Sequence, residues 1–252
     1  MYRFRKLDIS GVGPFGEGNV LHFSDGLTLI CGGNGLGKTT IAQALRGDNP
    51  DVRLEHSGYL DPSIPDWLIY FEETLRLPGG GDRYTALMDL LATRMFSKLD
   101  WRQLEDAITL GIREMLEVKV LGLSKFSGVI SSSQQIKLKI EEDGCLNIID
   151  GITGQDLNWG FRAEGERFVL YLAINRALRL QVSSEVDLPF VVDANLSVLD
   201  MGLLSEVQRF IESMAGQVIL LERCPDEDRL RLATYEIHPE VDSGKSRIIE
   251  CQ

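Results

Sequence analysis

Cysteine is scarce in this chain, and what there is does not cluster. Cys31, Cys145, Cys224 and Cys251 stand far apart with no CxxC pair. That pattern predicts neither a disulfide framework nor a zinc site, and it fits a reducing cytoplasm. Long apolar runs are missing as well. No stretch reaches the ~18 uninterrupted apolar residues that a membrane-spanning helix needs, so no membrane association is expected. The opening segment, Met1-Tyr-Arg-Phe-Arg-Lys-Leu-Asp8, has no apolar run of its own and does not read as a signal peptide. Positive charge is in deficit: 26 Lys and Arg face 38 Asp and Glu, for a formal net charge of -12. Such a field repels phosphate backbones, so nucleic-acid binding would need a local basic patch. The dense candidate is Arg3, Arg5 and Lys6. Strand alternation would place Arg3 and Arg5 on one face, read first as a solvated edge-strand face and second as a DNA contact. Internal repeats and low-complexity tracts are absent.

What remains is ordinary soluble material. Hydrophobic residues make up 44% and charged residues 25% of 252 positions, enough for one large α/β domain with at most a small appendage. Residues 2–9, 19–23 and 27–31 read as strands, broken by the turns Gly11 to Gly16 and Ser24 to Gly26. Residues 38–46 have helical character. Between 47 and 81 the periodicity is poor, with one short apolar run, Trp67 to Phe71, and a linker signal at Leu77-Pro-Gly-Gly-Gly-Asp82. Two amphipathic helices follow, over 84–99 and 101–115, with Asp100 and Gln103 as a capping box. The alternation in Ile136 to Ile140, the turn at Asp143-Gly144 and the return to Ile149 predict a hairpin. A helix over 164–181, a buried strand over 189–192, a helix over 203–214 and strands over 217–221, 235–238 and 247–250 complete the chain.

The most specific motif is Gly32-Gly33-Asn34-Gly35-Leu36-Gly37-Lys38-Thr39, followed by Thr40. It satisfies GxxxxGK[ST] in full and follows the apolar strand Leu27 to Cys31. Glycines let backbone N–H groups turn inward onto phosphate oxygens, and the helix opening at Lys38 adds its positive end. Lys38 is expected to reach the β- and γ-phosphates of ATP, and the Thr39 hydroxyl to ligate Mg²⁺. The matching metal carboxylate is expected at the end of an apolar strand, and Leu188-Pro-Phe-Val-Val-Asp193 supplies it.

With these residues in place, the chain resembles the ABC-type ATPase heads of SMC-like proteins over residues 1–46 and 134–223. Ala163-Glu-Gly-Glu-Arg167 is similar to the family's signature segment, Asp193 to its Walker B acid, and Ser197-Val-Leu-Asp200 to its D-loop. Leu188 to Asp200 and Gly216 to Leu221 resemble most the DndD ATPases of DNA phosphorothioation systems. The resemblance implies a P-loop ABC-type α/β head over 1–252. Its sheet would be mixed with an N-terminal antiparallel part, and 47–133 would be a helical or loop insertion where a coiled coil usually sits. That segment is either natural or the scar of an excised coiled coil bridged near Pro78 to Gly81. The resemblance also implies a cytoplasmic homodimer with ATP and Mg²⁺ at the interface. Each nucleotide would be held by the phosphate loop of one protomer and by Ala163, Gly165, Glu166 and Asp200 of the other. A protein partner in DNA repair, DNA modification or antiviral defence is implied too, with DNA reached directly or through that partner.

Three positions depart from the family pattern. Ala163 replaces a serine hydroxyl, Ala194 stands where most relatives carry a glutamate base, and Arg223 is the nearest match to a switch histidine. Losing a general base typically costs about 10²–10⁴ in rate, and losing one preorganised donor about 10²–10³. Slow or absent hydrolysis is therefore expected, whether Ala194 is natural or an engineered trap. The competing reading is a non-catalytic ATP-sensing scaffold that regulates a nuclease or toxin. A transporter subunit is the weaker alternative, because Gly165-Glu166-Arg167 stands where transporters usually carry Gly-Gln.

Overall fold

In this computed structural model the described residues are 1–60, 64, 68–72, 106, 107, 110, 136–140, 146–150, 172, 173, 175–177, 179, 187–193, 196, 201–223 and 233–251. They fall in two units. One comprises Met1–Glu73, Glu185–Ser197 and Ile211–Gln252, the other Thr74–Ser184 and Val198–Phe210.

The first unit holds two sheets. Strand β1 (Arg3–Asp8) lies between β2 (Val20–His22) and β4 (Arg53–Ser57), antiparallel to both. The second sheet has the order β11-β10-β3-β9-β8-β5, formed by β3 (Leu27–Gly32), β5 (Tyr70–Glu72), β8 (Phe190–Asp193), β9 (Val218–Glu222), β10 (Tyr235–Pro239) and β11 (Ser246–Glu250). All its neighbours are parallel except β10 and β11, which form the terminal hairpin. The central parallel strands β3, β8 and β9 are mostly apolar because both faces are covered. Leu29, Ile30, Val191, Val192 and every residue of β9 are buried. The mixed sheet with an antiparallel N-terminal part is the α/β architecture expected.

Buried side chains join the two sheets. The Gln217 amide mimics a strand partner: its Oε1 accepts from the Phe4 N–H at 2.9 Å, and its Nε2 donates to Phe4 O at 2.9 Å and Ser24 O at 2.8 Å. The Tyr235 hydroxyl does the same for His22, accepting from its N–H and donating to its carbonyl.

Three expectations need correction. Strand β1 is central in its sheet rather than an edge. A register shift between Phe4 and Lys6 forms a bulge; Arg3 and Arg5 both reach Asp25 Oδ1, at 3.9 and 2.8 Å, but differ in burial. Arg3 is only 2% exposed and its guanidinium pairs with Asp187, while Arg5 stays exposed and pairs with Asp25 at 2.8 Å. Lys6 faces Glu55 at 3.4 Å, so this cluster is charge-matched rather than a basic patch. Second, where the sequence shows little periodicity, tertiary pairing makes strands of residues 53–57 and 70–72. Third, Cys31 is disulfide-bonded, with its partner outside the described residues, whereas Cys251 is a free thiol. Spacing along a chain says little about which cysteines meet in space.

The second unit contains the expected hairpin, β6 (Ile136–Ile140) and β7 (Leu146–Asp150), paired from Ile136 opposite Asp150 to Ile140 opposite Leu146. Its described helical residues 172, 173, 175–177 and 179 include the buried Leu172, Ala173 and Ala177. Arg176 stacks 4.6 Å over the Phe210 ring, which belongs to the helix Met201–Glu212. The predicted helices over 84–99 and 101–115 lie outside the described residues, apart from helical 106, 107 and 110. Among the described residues no helix is long and apolar enough to cross a membrane.

Candidate functional site

Parallel sheets place ligands beyond the carboxyl ends of their strands. Here β3 ends at Gly32 and β8 at Asp193, with β9 between them. The loop after β3 runs into helix α1 (Lys38–Arg46), whose observed start and end are those predicted. Gly37 caps it at φ 110° with no side-chain hydrogen bond to the first turn. The amide donors at that end are therefore left to an incoming acceptor. Gly35 also lies at positive φ, 78°. Asn34 and Thr39 are exposed, while Leu36, Lys38 and Thr40 are half-buried.

The loop is held from the N-terminal side by the turn Gly11 to Gly16. A Cβ placed on Gly37 would lie 2.6 Å from Phe15 Cζ and 2.7 Å from Pro14 Cγ. One on Gly13 would lie 3.0 Å from Thr40 Cγ2. The turn is pinned in its own right, because Ser246 N donates to Pro14 O at 2.7 Å. At the other end of α1, the Tyr70 hydroxyl donates to Leu45 O at 2.7 Å, and Arg46 stacks 5.0 Å over the Tyr70 ring.

Lys38 folds over the loop. Its Nζ donates to Gly32 O at 2.8 Å and Gly33 O at 2.9 Å, which leaves one of three ammonium donors for a ligand. Burial holds its pKa below the usual lysine value, Asp193 pulls it back up and Arg223 pushes it down again. Asp193 is the mirror case. Burial raises its carboxyl above the ordinary 3.8, offset by a hydrogen bond from the Thr39 hydroxyl and by the charges of Lys38 and Arg46. Thr39 and Asp193 thus meet from opposite ends of the motif, on α1 and β8. A hydroxyl and a carboxylate in contact suit Mg²⁺, a hard cation that keeps several waters and takes few protein oxygens.

Ala163, Gly165, Glu166, Arg167, Ala194 and Asp200 lie outside the described residues. Arg223, read as the nearest match to a switch histidine, lies directly after β9 and is exposed. Nothing in the sequence signalled that the turn Gly11 to Gly16 supports the loop.

The AAA domain family (AAA_23) matches residues 6–47, the stretch from β1 through the phosphate loop to the end of α1. No curated protein matches the sequence. Over the whole chain, the SMC head domain from Thermotoga maritima superposes with TM-score 0.55 at 16% identity, covering 99% of each chain. An SMC head bound to the C-winged helix domain of ScpA gives TM-score 0.61 at 15% identity, covering 99% of this chain and 98% of that one. The fold is that of an SMC head. At such low identity the likeness shows the fold alone.

Proposed function

We propose that this chain is an ATP-binding head that closes on a second copy of itself around two Mg-ATP molecules and hydrolyses them slowly. The observation that carries this reading is the contact of the Thr39 hydroxyl with Asp193 beside Lys38, under a helix end without a side-chain cap. Loop amides and Lys38 would hold the phosphate chain, and Thr39 and Asp193 would hold Mg²⁺. Bound Mg²⁺ neutralises phosphate charge. Lys38 is already directed into the loop, so little reorganisation is required of it.

Two copies are needed because the loop and the segment Ala163 to Arg167 of one SMC-type head serve different nucleotides. A two-fold pairing lets each loop use the partner's segment, an isologous contact. The fold also suits a role in DNA processing, DNA modification or phage defence with a protein partner, as the ScpA-bound SMC head has one. Ala194 and Ala163 favour slow turnover, and they also support the second reading, a scaffold that holds ATP without consuming it.

Light scattering with and without Mg-ATP tests the pairing. A shift from one to two chains is expected, lost in Gly165→Arg, whose side chain would stand where backbone must approach phosphate. A monomer in both conditions at saturating ATP would overturn the dimer. Phosphate release separates the two readings: very slow turnover abolished by Lys38→Ala supports the ATPase, and none at all supports the scaffold.

A further inference from the structure

The glycine turn that precedes β2 lies along the outer edge of β11. Ser246 donates its N–H to Pro14 O at 2.7 Å and accepts from the Gly16 N–H at 3.3 Å, and Phe15 bridges to it in parallel. Two residues further along β11, the Ile248 N–H goes to a side chain instead, Asn19 Oδ1 at 2.7 Å. The same amide donates from Nδ2 to Gly16 O at 2.8 Å and to Ser246 O at 3.5 Å. Asn19 thus clips the end of the turn to the terminal hairpin.

Asn19 is only 1% exposed, and its backbone is engaged as well. Its N–H donates to Ser10 Oγ at 3.1 Å, and its carbonyl accepts from the Ile9 N–H at 3.0 Å. A buried amide satisfied by several segments fixes their relative positions. The turn it fixes reaches the phosphate loop directly. Pro14 and Phe15 pack on Gly37, the residue before Lys38, and Gly13 packs on Thr40. Phe15 is joined to Ser246 through its backbone and set against Gly37 through its ring. Any shift of the turn therefore passes to the start of α1.

We propose that Asn19 is a positioning residue for nucleotide binding, which holds Gly37 to Thr40 in the phosphate-binding arrangement by clipping the glycine turn to β11. This rests on the proposed binding of ATP to the loop. A site built of backbone amides depends on such support, because donors displaced by a fraction of an ångström lose alignment with several phosphate oxygens together.

The test is a calorimetric titration of the full chain with the Mg²⁺ complex of β,γ-imido-ATP, comparing Asn19→Ala with Gln217→Ala at a temperature where both stay folded. Gln217 is the fitting control, since its amide is also buried but clips Phe4 and Ser24 at the amino end of β9, opposite the carboxyl edge. Asn19→Ala lowers affinity about ten- to a hundredfold, and Gln217→Ala leaves it unchanged. In a Phe15→Leu background the loss from Asn19→Ala shrinks, because the ring that carries the constraint is already withdrawn. Unaltered affinity in Asn19→Ala, an equal loss in Gln217→Ala, or a loss undiminished by Phe15→Leu would overturn the role of Asn19 and leave the ATP reading standing. A parent chain that binds no nucleotide overturns both. Should Asn19→Ala not fold, Asn19→Asp keeps the acceptor for Ile248 and loses the donor to Gly16, and unaltered affinity in it counts against the proposal.

Discussion

Replacing Gly37 with Ala tests how the phosphate loop is held in shape. Gly37 sits at φ 110°, a conformation that side-chain-bearing residues rarely adopt, at a cost of about 1–3 kcal/mol. The new methyl would also press on Phe15 Cζ at 2.6 Å, Phe15 Cε2 at 2.7 Å and Pro14 Cγ at 2.7 Å. Phe15 is 1% exposed, so its ring has little room to yield, and overpacking adds about 1–3 kcal/mol. The combined loss of about 2–6 kcal/mol is an upper range, since a shift of the loop relieves both terms together. It remains a large share of the roughly 5–15 kcal/mol that holds a typical domain together. Urea denaturation of Gly37→Ala, Phe15→Leu and the double variant separates the two parts. Leucine withdraws the ring atoms facing Gly37 but leaves the φ strain and Pro14. Gly37→Ala should therefore cost less in the Phe15→Leu background, with a coupling of about 1–3 kcal/mol. Additivity within about 0.5 kcal/mol would refute the claim that the turn braces the loop.

Other perturbations follow from buried polar contacts. Asp187→Ala leaves the buried Arg3 guanidinium with only the Asp25 carboxylate, 3.9 Å away, and should destabilise near the lower end of about 3–5 kcal/mol, since Asp187 is half-exposed; the urea midpoint reports it. Gln217→Ala orphans the N–H and C=O of Phe4 and the carbonyl of Ser24, at about 1–3 kcal/mol for each group that water cannot reach. A loss comparable with a surface substitution would show that the clip is dispensable. Asp193→Asn should stabilise the nucleotide-free protein at neutral pH while weakening Mg-ATP binding. Burial raises the folded pKa of Asp193 above the ordinary 3.8, so the folded state holds that proton more tightly. The favourable contribution is complete below the ordinary value and is lost as pH rises through the raised one. The gain from Asn should therefore fade on acidification towards 3.8, and a melting-temperature difference independent of pH would contradict it.

The phosphate loop was the most legible part because its signals are local. An apolar strand, a glycine turn and a helix start lie within one short stretch, and α1 begins and ends where the pattern ends. The buried strands β8 and β9 and the hairpin β6–β7 were also readable, since their periodicity and turns do not depend on distant residues. Strand β4 was not, because its pairing with β1 is what makes it a strand. Arg3 misled for the same reason: the partner that buries it, Asp187, is 184 positions away. The contribution of the turn Gly11 to Gly16 depends on Phe15 and Pro14 meeting Gly37, a contact no pairwise pattern announces. Arg223 was singled out in the sequence as the nearest match to a switch histidine, and the pairing of Cys31 with Glu222 sets it next to Gly32.

Titrating Mg-ATP into the full chain while following its melting temperature measures the central claim most directly, that Lys38, Thr39 and Asp193 form a nucleotide site. At 100 times the dissociation constant the linked stabilisation is about 2.7 kcal/mol, a rise of roughly 5–11 °C for a domain of this size. The rise should require Mg²⁺ and should largely vanish in Lys38→Ala. An unchanged melting curve at millimolar Mg-ATP, or an equal rise in Lys38→Ala, would contradict the account.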